Sequence, residues 1–260
     1  MFKVMVRDMK RNKINETLSL DKTIEHKQLI AFHEAGHAAG IHLNNKARCL
    51  PPLSFKIIFK EMSCVIEADI QTYQTHHNDC SARVEGGRLI ELLPSFIDGP
   101  MRKLTEHKNS KAQWEKDYRV NFEADIINLL IGPLAEAKHV ADTDDELFNH
   151  KLVNLKALKN YGGCSDISLT NEYLQYLSTD KQRRDEILDE LFIEAFNFVN
   201  NDENWAAITK LAHYILDSRK NIICHEEIVL MLDQAVAHFQ HQISSITRHY
   251  YCAGSMRQSL

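Results

Sequence analysis

The chain contains no apolar run approaching the ~18 residues that a transmembrane helix requires, and its first residues lack the apolar stretch of a secretion signal. A membrane span is therefore not expected. Six cysteines are present (Cys49, Cys64, Cys80, Cys164, Cys224 and Cys252), but none stands in a Cys-x-x-Cys pair. Such scattered usage fits a reduced, cytoplasmic protein whose thiols serve as small hydrophobes. There is no excess of positive charge either. The net charge of −5 argues against a dedicated nucleic-acid binder, and the basic cluster Arg7 to Lys13 reads as a short solvated tail. No internal repeat or low-complexity tract is visible. What remains is a globular chain of 260 residues, long enough for one large domain or two small ones.

The patterning predicts one mostly α domain with a small β-hairpin or sheet beside its first helix. Residues 1–20 read as a tail or surface arm, 21–245 as a single domain and 246–260 as a C-terminal tail. Asp21 or Thr23 can cap a first helix over about 22–44, with Leu29, Phe32, Gly36, Ala39 and Leu43 forming its packing face. Leu53 to Phe59 and Ser63 to Ile70 read as the two strands of a hairpin joined by Lys60-Glu61-Met62. Further helices are expected over about 80–93, 111–140 and 144–159, one opening at Asp166, and three more over about 180–200, 203–218 and 225–242.

The most informative stretch is His33-Glu34-Ala35-Gly36-His37, flanked by Leu29-Ile30-Ala31-Phe32 and Ala38-Ala39. Histidines four apart on a helix project from one side, so both imidazoles can reach a single metal ion. Glu34 lies about 100° round from His33, close enough to bond a water at that metal without becoming a ligand. That is the arrangement of a zinc hydrolase: two neutral nitrogens, a base for water, and an open coordination position. The small, apolar flanks bury the motif rather than leave it on a solvated face.

A catalytic zinc needs a third protein ligand. On local chemistry Asp166 is the best ligand candidate, following the Gly162-Gly163 turn, although local sequence alone favours the ordinary reading of a helix N-cap aspartate there. Glu136 is a second carboxylate on an apolar helix, its plain reading a buried acid paired with a basic group. His26, His76, His77, His107 and His139 also remain open as ligands. Tyr161 and Tyr173 flank the Asp166 turn and are candidates for oxyanion stabilisation, though packing is the commoner role.

With these residues in view, the chain resembles the peptidase domain of the FtsH-type zinc metallopeptidases. The family's His-Glu-Ala-Gly-His-Ala stands unbroken at 33–38. Its Gly-Gly-Arg-Ala-Ala-Glu-like helix segment is similar to Ile131-Gly132-Pro133-Leu134-Ala135-Glu136 in glycine, alanine and glutamate only. Its Gly-Ala-Ser-Asn-Asp-Leu turn, which supplies the third ligand, is similar to Gly162-Gly163-Cys164-Ser165-Asp166-Ile167. The likeness extends over about 21–235, taking in the helices around 187–195, 205–216 and 225–228. It implies that His33, His37 and Asp166 bind Zn²⁺ and that Glu34 is the general base. It also implies that an extended peptide adds as a strand to an edge near Val65 to Ile70.

Two departures shape the functional expectation. The family's ATPase module carries a phosphate loop, whereas none of the nine glycines here is followed by lysine. The region 75–120 is longer than the family pattern and reads as a rim or lid of the cleft. The resemblance thus implies an ATP-independent zinc metallopeptidase acting on peptides or unfolded proteins. The alternative is a non-catalytic, zinc-stabilised protein that binds peptides or a partner. A homo-oligomer or a separate ATPase partner is compatible with either.

Overall fold

The computed structural model describes residues 20–59, 82–90 and 108–255, with side chains described between 24 and 245. Its elements run α1 (Leu20–Ala39), a π turn (Gly40–Asn44), α2 (Asn45–Ala47), β1 (Phe55–Phe59), β2 (Ala82–Gly86), α3 (Lys108–Thr143), a 3₁₀ turn (Ala157–Asn160), α4 (Cys164–Leu177), α5 (Lys181–Asn200), α6 (Asp202–Asp217), β3 (Ile222–Ile223) and α7 (His225–Ser255). The protein is mostly helical with a small antiparallel sheet, as its patterning predicts.

Two apolar clusters organise the helices. One lies between α3, α4 and α5 and includes Leu130, Leu134, Leu158, Tyr173, Leu191 and Phe196. The other joins α1, α6 and α7 to the sheet through Phe32, Ile57, Ile208, Leu211, Ile223 and Leu232. Each such aliphatic or aromatic side chain removed from water contributes roughly 1.5–3 kcal/mol. The two clusters meet where α1 lies along α3.

That crossing is exceptionally close because glycines stand on both sides. A Cβ on Gly36 would come within 2.7 Å of Ala135 Cβ, and one on Gly132 within 2.3 Å of His37 Nε2. Gly40 passes Asn128 with similar lack of room. The His33–His37 motif is thus held against α3 by contact of backbone with backbone.

In the sheet, β1 is central, with strand order β2-β1-β3. β2 pairs antiparallel from Phe55↔Gly86 to Phe59↔Ala82, and β3 pairs at Ile57↔Ile223 and Ile58↔Ile222. The helix expected over 80–93 is therefore corrected to a strand at Ala82–Gly86. Its sequence, Ala-Arg-Val-Glu-Gly, carries little strand propensity, and pairing with the buried β1 overrides it. The expected partner strand, Ser63 to Ile70, lies outside the described residues, as do 60–62 of its turn.

A second correction concerns 144–159, which is not an α-helix. Asp145 takes a left-handed conformation (φ 52°) and Glu146 N–H closes back on Ala141 O at 2.8 Å, ending α3. Asn149 and Asn154 then bond their own downstream amides (Lys151, Lys156 and Ala157), a local alternative that competes with helix. At the two ends the helices run further than expected. The first continues through the π turn to Ala47, and α7 extends through Ser255, into the segment expected as a tail. Of the region 75–120, β2, the turn after it and the start of α3 are described.

Candidate metal centre

α1, α3 and the N-terminus of α4 converge on one cluster. His33, His37 and Asp166 each offer a ligand atom, and those atoms lie within 4.8 Å of one another. Asp166 Oδ2 is 3.4 Å from His33 Nε2, and Asp166 Oδ1 is 3.5 Å from His37 Nε2. The N-cap of α4 is Gly163, which leaves Asp166 inside the first turn with its carboxylate turned to the histidines. The N-cap reading of Asp166 is thereby excluded.

The turn before α4 makes this approach possible. Gly162 adopts φ +72°, and a Cβ there would meet Glu136 Oε2 and His33 Nδ1 at 3.0 Å. Only glycine lets the backbone pass so close to the imidazole in that conformation.

Each histidine is anchored through its far nitrogen. His33 Nδ1 lies 3.2 Å from Glu136 Oε2, and His37 Nδ1 lies 2.9 Å from the backbone carbonyl of Asn128. An ionised carboxylate and a carbonyl only accept, so each Nδ1 carries the proton and each Nε2 presents a lone pair. Pro133 has no N–H for the Leu129 carbonyl four residues back, so the α3 ladder is interrupted one residue beyond the carbonyl that Asn128 lends to His37. The Asn128 side chain is fixed in turn, accepting from Asn44 at 2.9 Å and donating to Asn45 at 3.0 Å.

Electrostatics fit a cation at this point. Burial by itself pushes the His33 imidazole down, but the neighbouring Asp166 and Glu136 carboxylates overcome it and raise its pKa well above the usual value. For Asp166, burial works upward, while His37 and His33 outweigh it and hold the carboxyl below its ordinary range. Glu34 is 6% exposed, and burial, only partly offset by the two histidines, raises its pKa. Its carboxylate accepts the Val84 N–H of β2. Glu34 Oε2 and Asp166 Oδ2 are buried without a hydrogen-bond partner. Two bare nitrogens and an unsatisfied carboxylate oxygen form a donor set that a divalent cation completes.

The centre opens into a cleft of about 230 Å³, walled by α1, the β2 strand with the turn after it, α3 and α4. Among the described residues β2 is an edge strand of the sheet. Asp125, on α3, accepts the N–H groups of Leu89 and Ile90 at 3.0 and 2.9 Å, pinning the turn that follows β2.

The other candidates lie elsewhere. Glu136 is not a ligand in this arrangement but a buried acid paired with His33, its plainer reading. His26 is exposed on α1, His139 stacks on Phe32 at 3.8 Å, and His76, His77 and His107 fall outside the described residues. Tyr173 lines the cleft, but its hydroxyl is committed to the Ile90 carbonyl at 3.2 Å. Tyr161 packs in the α3–α4–α5 cluster. For the three described cysteines the expectation of thiols as small hydrophobes is corrected: Cys49, Cys164 and Cys224 are unpaired and exposed. Sequence reasoning missed Asn128, Asp125 and β2. A backbone carbonyl leaves no side-chain signature, and the other two matter only through tertiary pairing. No protein-family model, curated protein or solved structure matches this chain.

Proposed function

We propose that the chain is a zinc metallopeptidase, with His33, His37 and Asp166 as metal ligands and Glu34 as general base. The observation that carries this reading is Glu34: a buried carboxylate beside the His-His-Asp cluster, with one unpartnered oxygen, on the wall of an open cleft. A closed structural site has no use for such a group. Two imidazoles and one carboxylate suit zinc, which when bound polarises the scissile carbonyl and lowers the pKa of water from 15.7 towards ~7.

The residues divide the remaining work. Glu34, with its pKa raised by burial, takes the proton of the attacking water and delivers it to the leaving amine. Glu136 and the Asn128 carbonyl hold the imidazoles in the tautomer that leaves Nε2 free. The β2 edge offers a backbone along which an extended peptide can pair, so recognition would rest on main chain more than on side chains. Substrates would be peptides or unfolded proteins. Among the described residues no helix is long and apolar enough to cross a membrane, and the exposed unpaired thiols support a reducing, cytoplasmic setting.

The test is Glu34→Gln, which keeps the shape of the side chain but cannot accept a proton near neutral pH. Zinc content and folding should persist while peptide hydrolysis falls by at least the ~10²–10⁴-fold that general base catalysis supplies. Zinc-loaded wild-type protein that cuts no peptide, and binds peptides as well with glutamine at 34, would instead make the chain a non-catalytic peptide binder.

A further inference from the structure

The cleft contains a cation that the peptidase mechanism does not use. Gly86 (φ +87°) and Gly87 (φ +75°) form the turn leaving β2, and there is no room for a Cβ at Gly87 against Ile41. Immediately afterwards comes Arg88, exposed and lining the same cleft as His33, Glu34 and Asp166. Leu89 and Ile90 are then pinned by Asp125. Arg88 is therefore carried by a segment constrained on both sides, not by a free loop tip.

Its neighbours leave its charge unspent. Arg83 and Lys56 share the Glu85 carboxylate at 2.8 and 3.1 Å. Arg88 has no carboxylate at ion-pair distance among the described residues. It bonds the Tyr173 hydroxyl, which in turn donates to Ile90 O. Asp125 feels its charge but is buried and already occupied by two backbone amides. A guanidinium has five N–H donors in a planar fork shaped for a carboxylate, and among the described residues one phenol oxygen leaves most of them available.

We propose that Arg88 is a specificity-determining residue that binds a carboxylate of the peptide substrate within the cleft. The carboxylate is either a free C-terminus or an aspartate or glutamate side chain near the cut. This rests on the peptidase reading. It adds side-chain or terminus selection to an otherwise backbone-based mode of binding, because the charged fork lines the same cleft as the reacting centre.

The experiment uses matched peptides differing in a single carboxylate: free acid against C-terminal amide, and aspartate against asparagine at each position around the cut. Zinc-loaded wild-type protein should show kcat/KM at least roughly tenfold higher for the carboxylate member of one pair, the scale of one charged hydrogen bond. The pair affected identifies which carboxylate is read. In Arg88→Gln the ratio within that pair should collapse towards one; in Arg88→Lys, which keeps charge but not the fork, it should fall part of the way. Arg88→Glu should favour a lysine at the same position.

Binding of the same pairs to Glu34→Gln protein, read by fluorescence anisotropy with and without Arg88→Gln, makes the outcome independent of turnover. Equal treatment of every pair by wild type, or a preference that survives in Arg88→Gln, overturns the proposal. Carboxylate-dependent binding without any wild-type cleavage supports Arg88 as the anchor and overturns the peptidase reading alone. Matching thermal midpoints for wild type and variants would show that the fold is intact.

Discussion

His33 and His37 bring their Nε2 atoms to 3.1 Å of each other, although both of their protons are committed on the opposite side of the rings, to Glu136 and to the Asn128 carbonyl. Two lone pairs at that distance repel unless a positive charge stands between them. In the metal-free chain a proton on His33 can serve, consistent with its raised pKa. In the loaded protein a metal would replace that proton.

Removing a ligand should therefore remove the metal. His33→Ala, His37→Ala and Asp166→Ala each delete one of three protein donors, and each purified variant should lose most of its zinc by elemental analysis. Stoichiometric zinc in folded Asp166→Ala would show that the third ligand is another group.

Glu136→Gln should weaken metal binding without abolishing it. The amide oxygen can still accept from His33 Nδ1, but the charge that makes the imidazole a better donor is gone. Partners of this kind are typically worth 10–100-fold in metal affinity. Competition with a chromophoric chelator would measure the change, and wild-type affinity would mean that the Glu136 charge is irrelevant to the centre.

Gly132→Ala should be destabilising, reversing the usual rule. Alanine in a helix interior is ordinarily favoured over glycine by about 0.5–1 kcal/mol. Here its methyl would sit 2.3 Å from His37 Nε2, and either the imidazole moves or α1 and α3 separate. Overpacking of this sort costs typically ~1–3 kcal/mol. Urea unfolding with parallel zinc analysis should show both lower stability and lower metal content. A Gly132→Ala protein that is more stable and fully loaded would contradict the packing described.

Asp125 predicts a pH effect separate from the metal. Burial raises its pKa from the ordinary 3.8 to about 6, against the opposing pull of the Leu89 and Ile90 amides and of Arg88. A carboxyl whose folded pKa is raised stabilises most when protonated. Its contribution is complete below about 3.8 and is lost as pH rises through about 6. Two pKa units correspond to about 3 kcal/mol. In metal-free protein, wild type should lose stability relative to Asp125→Asn between pH 4 and 7, by up to that order. Parallel stability curves would rule the effect out.

How much of this was legible depends on the range over which each residue acts. His33, Glu34 and His37 declare themselves because their chemistry lies within two turns of one helix, and a spacing of four encodes a shared face. Asp166 was a weaker signal. Local sequence favours a cap over a ligand, and the tertiary approach of Gly162 to His33 distinguishes them. Glu136 could be recognised as a buried acid but not assigned its partner, 103 positions away. β2 does not announce itself as a strand, because five residues with one β-branched side chain carry no strand pattern of their own. Arg88 carries no signal in the sequence, since its place is determined by the strand before it and by Asp125 after it.

The π turn at Gly40–Asn44 separates two registers within one continuous rod. The turns bearing His33 and His37 follow α-helical phase, and the wider turn after them accommodates an additional residue, altering the phase of everything downstream. Where it ends, Asn44 and Asn45, both in ordinary right-handed helical backbone, meet the two ends of the single Asn128 amide. Substitution alone does not test this arrangement. Deleting a single residue from the turn would leave His33 and His37 where they are and rotate the asparagine anchor off α3, so the centre depends on the number of residues in that turn as well as on their identity.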